Sequence, residues 1–207
     1  MIQMDLDPRK VNSLFFTQHH SDHDLDYPTF LLTRWETSIG EESELEIFGP
    51  PPTVKFTEKL INIDYGAFAH DLIARTNHPL SLNSFKRRGG KLPRKLPSFK
   101  PNDIFPGDTI KREGWTVKSD LAEHVEPFLD SLAYRLEVEG KSIVFTGDTR
   151  PCKTVEKLAY KADYLICLCI ALQDQIDGTP EADYMMGHID AGMLAKNSEV
   201  KNLILVH

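Results

Sequence analysis

The sequence predicts an α/β layered fold on three observations. Its second half alternates short β-forming runs with stretches at helical spacing. Its 207 residues suffice for one domain with a sizeable core. Its hydrophobic and charged fractions, 41% and 27%, are those of an ordinary globular protein. Val11 to Thr17 is rich in β-formers and reads as a short buried strand running into a cluster of histidine and aspartate. Pro28 suits the first turn of a helix whose apolar face carries Phe30, Leu31 and Trp35. Leu45 to Phe48 reads as a strand stopped by Gly49-Pro50-Pro51-Pro52, and residues 53 to 63 as a helix. Residues 77 to 106, with Gly89-Gly90 and prolines scattered throughout, read as a long basic loop inserted into a single domain spanning 1–207. Strands follow at Trp115 to Ser119 and Ser131 to Val138, then a tight turn at Glu139-Gly140 and a returning strand at Ser142 to Thr146. Thr154 to Lys161 reads as a helix, Tyr164 to Ile170 as a buried strand, Ala191 to Asn197 as a helix capped by Asp190, and Leu203 to Val206 as the last strand.

The formal net charge of −7 argues against a chain devoted to non-specific nucleic-acid binding. The charge is uneven, because Ser81 to Lys100 holds seven basic residues and no acidic one. No apolar run is long enough to span a bilayer, and the first ten residues lack the pattern of a secretory leader. A cytoplasmic protein without membrane association is therefore expected. Cys152, Cys167 and Cys169 give no disulfide framework and read as reduced, packed thiols.

Metal-binding side chains stand at the end of four expected strands: His20, Asp22 and His23 after the first, His124, Asp148, and His207 after the last. Strand ends hold ligands rigidly, and the adjoining loops leave room for substrate. Imidazole and carboxylate donors without thiolate suit zinc, with iron or manganese as alternatives. Two histidines and an aspartate within four residues have no packing rationale, whereas His70 and His78 read as surface residues.

The segment Thr17-Gln18-His19-His20-Ser21-Asp22-His23 resembles the T-H-x-H-x-D-H signature of the metallo-β-lactamase superfamily. The resemblance continues in order through Ala122 to His124, Phe145 to Pro151, Gly187-His188 and Leu203 to His207, and it is similar to the ribonuclease Z and arylsulfatase branch. It implies an αββα sandwich and one or two metal ions. One ion would use Gln18, His20, His124 and a bridging Asp148, and the other Asp22, His23, Asp148 and His207. A zinc-bound hydroxide would cleave an ester-like bond, with a phosphodiester or sulfate ester favoured over a lactam, lactone or thioester. Asp22 would orient the attacking water, and His188 would protonate the leaving group as a general acid.

This sequence departs from the family pattern in three places. Gln18 replaces the first motif histidine and offers only a neutral oxygen, so the site led by Asp22 and His23 is expected to fill first. Cys167 and Leu168 stand where the ribonuclease Z group places a His-Glu pair, which removes the glutamate expected behind His188. About 16 residues precede the first motif and the chain stops on His207, so a product shortened at both ends is expected. Within the basic stretch, Arg87, Arg88 and Lys91 are candidate contacts to an anionic small-molecule or nucleic-acid ester. A homodimer is a further partner the family suggests, and a non-catalytic binder of nucleic acid or protein is the alternative class.

Overall fold

The computed structural model describes residues 6–207, so the leader reading of residues 1–5 lies outside the described residues. The chain forms two compact units, one of residues up to 16 with 20–103, the other of residues 17–19 with 104–207.

The first unit is built on a parallel sheet of β1 (Ser13–Phe15), β2 (Leu45–Gly49) and β3 (Phe99–Asp103), in that spatial order. Parallel neighbours need crossover connections, and helices supply them. α1 (Ser21–Asp24) and α2 (Tyr27–Ser38) join β1 to β2; α3 (Thr53–Ile61), α4 (Ala69–Asn77) and α5 (Pro79–Arg87) join β2 to β3. Leu45, Ile47 and Phe48 of the central strand β2 are all buried, as a central parallel strand with a near-continuous apolar run should be. Phe16, Tyr27 and Leu31 complete this core, with the Phe16 and Tyr27 rings edge to face at 4.8 Å.

The stretch expected to be a loop over 77–106 instead contains α5 and β3. Pro79 occupies the first turn of α5, where its missing N–H costs nothing, and the His78 ring accepts from the Leu80 amide at 3.3 Å. Pro101 is tolerated in β3 because that strand lies at the sheet edge. Arg94 is buried between the rings of Trp35 (4.1 Å) and Phe85 (4.8 Å) and pairs with Glu36. Arg88 and Arg75 pair with the same carboxylate. Burial raises the Glu36 carboxyl, but its bonds to Arg94 and Arg88 outweigh this and hold it below the ordinary range.

The second unit carries a six-stranded sheet in sequential order: β4 (Thr109–Arg112), β5 (Trp115–Leu121), β6 (Leu132–Val138), β7 (Lys141–Phe145), β8 (Tyr164–Leu168) and β9 (Asn202–Val206). β4 to β7 are antiparallel; β8 and β9 join in parallel after crossovers through α6 (Lys153–Ala159) and, with the short α7 (Gln173–Ile176), α8 (His188–Asn197). The β6–β7 turn has φ of 49° at Glu139 and 71° at Gly140, the two positive angles of a type I′ hairpin, which matches the right-handed twist of its strands. Val144 and Leu165 from the sheet pack with Val155, Ala159, Ala191 and Leu194 from α6 and α8. Full burial of each larger side chain contributes about 1.5–3 kcal/mol.

α8 begins earlier than the sequence suggests. Its first residue is His188 and its N-cap is Gly187, so Asp190 sits inside the first turn rather than capping it. The Asp190 carboxylate instead accepts from the Gln173 side chain at 2.8 Å. Among the described residues, no helix is long and apolar enough to cross a membrane.

Candidate metal centre

Within the second unit, three of the expected ligand residues are set by two loops and one short segment. Gln18 is fully buried, on the segment 17–19. The Thr17 carbonyl accepts from the Leu132 amide at 2.8 Å, which fixes that segment to the start of β6. Asp148 is 4% exposed and follows β7. Gly147 before it has φ of 60°, and a Cβ there would lie 2.7 Å from Thr17 Cβ; only glycine allows both the turn and the approach. Across this contact Gln18 Nε2 donates to Asp148 Oδ2 at 2.7 Å, while Gln18 Oε1 is buried and has no hydrogen-bond partner among the described residues.

His124 is delivered by the β5–β6 loop. The Glu123 carbonyl accepts from the Arg150 amide at 2.8 Å and from the Thr149 hydroxyl at 3.2 Å, and the Glu123 carboxylate pairs with the Arg150 guanidinium at 2.6 Å. These bonds tie the loop bearing His124 to the loop bearing Asp148. The His124 ring is 3% exposed as a residue, and its Nδ1 lies 3.1 Å from the Tyr184 carbonyl. A carbonyl only accepts, so Nδ1 carries a proton, and in the neutral ring a metal requires, Nε2 presents a lone pair. That lone-pair nitrogen lies 3.9 Å from Asp148 Oδ2. Two donors each about 2.0–2.2 Å from one tetrahedral zinc are separated by roughly 3.4 Å, so a small adjustment lets both reach one ion. An outer bond from Nδ1 to a carbonyl is the usual support of a metal-ligating histidine. The donor set therefore fits a divalent cation, and the orphaned Gln18 oxygen is a buried atom that such an ion would satisfy.

A cleft of about 640 Å³ opens beside His124, with Glu123, Glu126, Arg150, Asp183 and Tyr184 on its walls. Acidic groups outnumber the single arginine there, so an anion entering it gains little from these walls.

His188 begins α8 and is exposed, and its Nδ1 accepts from the Gln173 amide at 3.0 Å. His207 follows β9 and is exposed. In the first unit His20 is the N-cap of α1, and Asp22 and His23 lie in its single turn, the His23 Nε2 at 3.3 Å from Asp22 Oδ2. Arg87 and Lys91 are exposed, whereas Arg88 is engaged by Glu36. Sequence reasoning missed the Tyr184 carbonyl, the Glu123–Arg150 clasp and Gln173. The adjacency of Arg150 to the Gly147-Asp148-Thr149 turn was a signal for the clasp; a main-chain carbonyl or amide leaves none.

No family profile matches the chain. Sequence comparison finds ribonuclease Z of Mycobacterium bovis (strain BCG), 27% identical over 204 residues, covering 95% of this chain and 67% of the relative. Ribonuclease Z of Mycolicibacterium gilvum is 28% identical over 205 residues, covering 96% and 66%. The chain thus spans about two thirds of the length of these relatives. Among solved structures, the metallo-β-lactamase fold protein YhfI from Bacillus subtilis superposes with a TM-score of 0.68 at 17% identity, covering all of this chain and 68% of that one. The short form of human tRNase Z gives 0.68 at 18% identity, covering 100% and 75%. The ordered motifs, the fold and these likenesses converge on a metallo-hydrolase that has the metallo-β-lactamase fold and is similar to ribonuclease Z.

Proposed function

We propose that the chain hydrolyses phosphodiesters, with RNA as the substrate class, at a divalent cation held by His124 and Asp148 with Gln18 beside them. One observation carries this reading. The His124 ring is locked by the Tyr184 carbonyl so that its Nε2 lone pair lies 3.9 Å from the buried Asp148 carboxylate. Zinc is the cation these donors suit. His20 completes the shell in this reading; it is two residues from Gln18, and chain connectivity holds their Cα atoms within about 7 Å. Asp22, His23 and His207 supply the second set of ligands.

A bound divalent cation supplies Lewis-acid charge for the reacting oxygen and lowers the pKa of water. Asp148 holds negative charge where the ligands meet, and Gln18 donates to it, which orients its other oxygen. His124 contributes a neutral donor of fixed direction. Asp22 accepts from the attacking water and aligns it with the phosphorus. His188 meets the leaving-group oxygen with a ring N–H. The exposed Arg87 and Lys91 are candidate phosphate contacts on the strength of the basic stretch that carries them. The likeness to relatives named ribonuclease Z supports the substrate class.

The test is turnover by the zinc-loaded protein of a chromogenic phosphodiester and a short RNA, beside a lactam, a lactone and a thioester. Phosphodiester cleavage that falls at least about 100-fold in His124→Ala is the expected result. Faster turnover of the lactam, lactone or thioester would reassign the substrate. RNA binding without cleavage of any substrate would make the chain a binder.

A further inference from the structure

The family pattern leads one to expect a glutamate behind His188, and Leu168 stands in its place, 2% exposed within the core. The structure supplies a different support. α7 brings the Gln173 main-chain N–H to His188 Nδ1 at 3.0 Å. The Gln173 side chain clamps this arrangement: its Nε2 donates to Asp177 Oδ1 and to Asp190 Oδ2, each at 2.8 Å, and its Oε1 accepts from the Asp190 amide at 3.2 Å. Asp190 lies in the first turn of α8, two residues beyond His188, so one residue fastens α7 to the start of α8. Gln173 is 8% exposed, while the His188 it contacts is open to solvent. A buried residue that spends its main-chain donor on an exposed ring fixes that ring's direction.

We infer that Gln173 is the positioning residue for His188, and that it holds the imidazole as the Nε2–H tautomer to present a neutral N–H to the leaving group. The inference rests on the leaving-group role proposed above. An Nδ1 that accepts from an amide carries no proton, so the ring hydrogen is on Nε2. A doubly protonated ring has no acceptor and would turn an N–H against the Gln173 N–H. His188 therefore acts by hydrogen bonding rather than by releasing a proton. As water attacks phosphorus, the bond from phosphorus to the leaving oxygen breaks and that oxygen takes the electron pair. The Nε2–H group stabilises the developing charge, and the proton that completes the alcohol comes from solvent. His124 has the opposite assignment, with its proton on Nδ1 and its lone pair on Nε2. Two histidines are thus divided into a donor and a ligand by which main-chain group each ring meets, an N–H or a C=O.

Two variants separate the main-chain donor from the side-chain clamp. Gln173 is the first residue of α7, a position that accepts proline, and Leu172 before it has φ −67° and ψ 146°, which suits a residue preceding proline. Gln173→Ala keeps the N–H and loses the clamp; Gln173→Pro loses both. Long-range 1H–15N correlation of the imidazole reads the tautomer without reference to activity. The expected result is a single Nε2–H form in the wild type and in Gln173→Ala, and a mixture in Gln173→Pro. In phosphodiester turnover, kcat of Gln173→Pro falls on the order of 10-fold below that of Gln173→Ala, with KM unchanged. An Nδ1–H form in the wild type, or identical ring spectra in the two variants, would overturn the assignment. A locked tautomer together with undiminished turnover by His188→Ala would overturn the leaving-group role instead and leave Gln173 a structural residue.

Discussion

Gly147→Ala separates the close approach at the candidate metal centre from ordinary turn strain. Gly147 has φ of 60°, and an added Cβ would lie 2.7 Å from Thr17 Cβ and 3.1 Å from Thr17 Oγ1. An alanine in the left-handed region costs about 1–2 kcal/mol. The overlap requires Thr17 or the β7 end to give by nearly an ångström, and Thr17 is pinned by its carbonyl to the Leu132 amide. Overpacking of this kind adds about 1–3 kcal/mol, for a total of roughly 2–5 kcal/mol. Gly140→Ala is the matched comparison: φ there is 71°, and none of the described residues lies within 4 Å of the added Cβ. It therefore carries only the turn strain, about 1–2 kcal/mol. Urea denaturation in the presence of a chelator, which removes any metal contribution, measures both losses. Zinc affinity of the folded variants gives a second readout, because displacing Gly147 displaces Asp148. It is expected to fall on the order of 10-fold or more for Gly147→Ala and to stay unchanged for Gly140→Ala. Equal stability losses in the two variants, or equal zinc affinities, would refute the reasoning.

Two further expectations concern the scaffold. Asp163 is held at about pH 2 by its bond to Lys201 and by the Ser142 amide and hydroxyl. A carboxyl depressed on folding stabilises the protein above its unfolded value near 4, and the contribution is lost as pH falls through about 2. Asp163→Asn should flatten the dependence of stability on pH between about 5 and 2; an unchanged slope would contradict the assignment. Arg94→Ala removes a buried cation stacked between Trp35 and Phe85 and should cost about 3–5 kcal/mol, whereas Arg88→Ala, at a half-exposed ion pair, should cost no more than about 1 kcal/mol. Thermal or urea unfolding of the two variants decides this, and equal losses would contradict it.

How much of this was legible in the sequence depends on where the information resides. The β6–β7 hairpin was, because Glu139-Gly140 sits between alternating strands and takes the turn that such a pair favours. The buried strands β2 and β8 were, from their apolar runs. α5 was not, because Pro79 and the Gly89-Gly90 pair read as helix breakers, whereas the proline starts the helix. β3 was hidden by Pro101, which only an edge position excuses. β4, a four-residue strand with one buried side chain, carries almost no pattern. At the site, residue types at strand ends pointed to Asp148 and His124, and the family resemblance to His188, but nothing showed how the two imidazole rings are aimed. That depends on the Tyr184 carbonyl and the Gln173 amide, main-chain groups that every residue possesses. The basic stretch illustrates the same limit: a run of cations gives no hint that Arg88 and Arg94 converge on Glu36 from another helix.

Calorimetric titration of zinc into chelator-treated protein tests the proposed metal centre most directly. The wild type should bind, and both Asp148→Ala and His124→Ala should weaken that binding by at least about 10- to 100-fold while the fold is retained. Binding of equal affinity and stoichiometry in all three proteins would contradict the account.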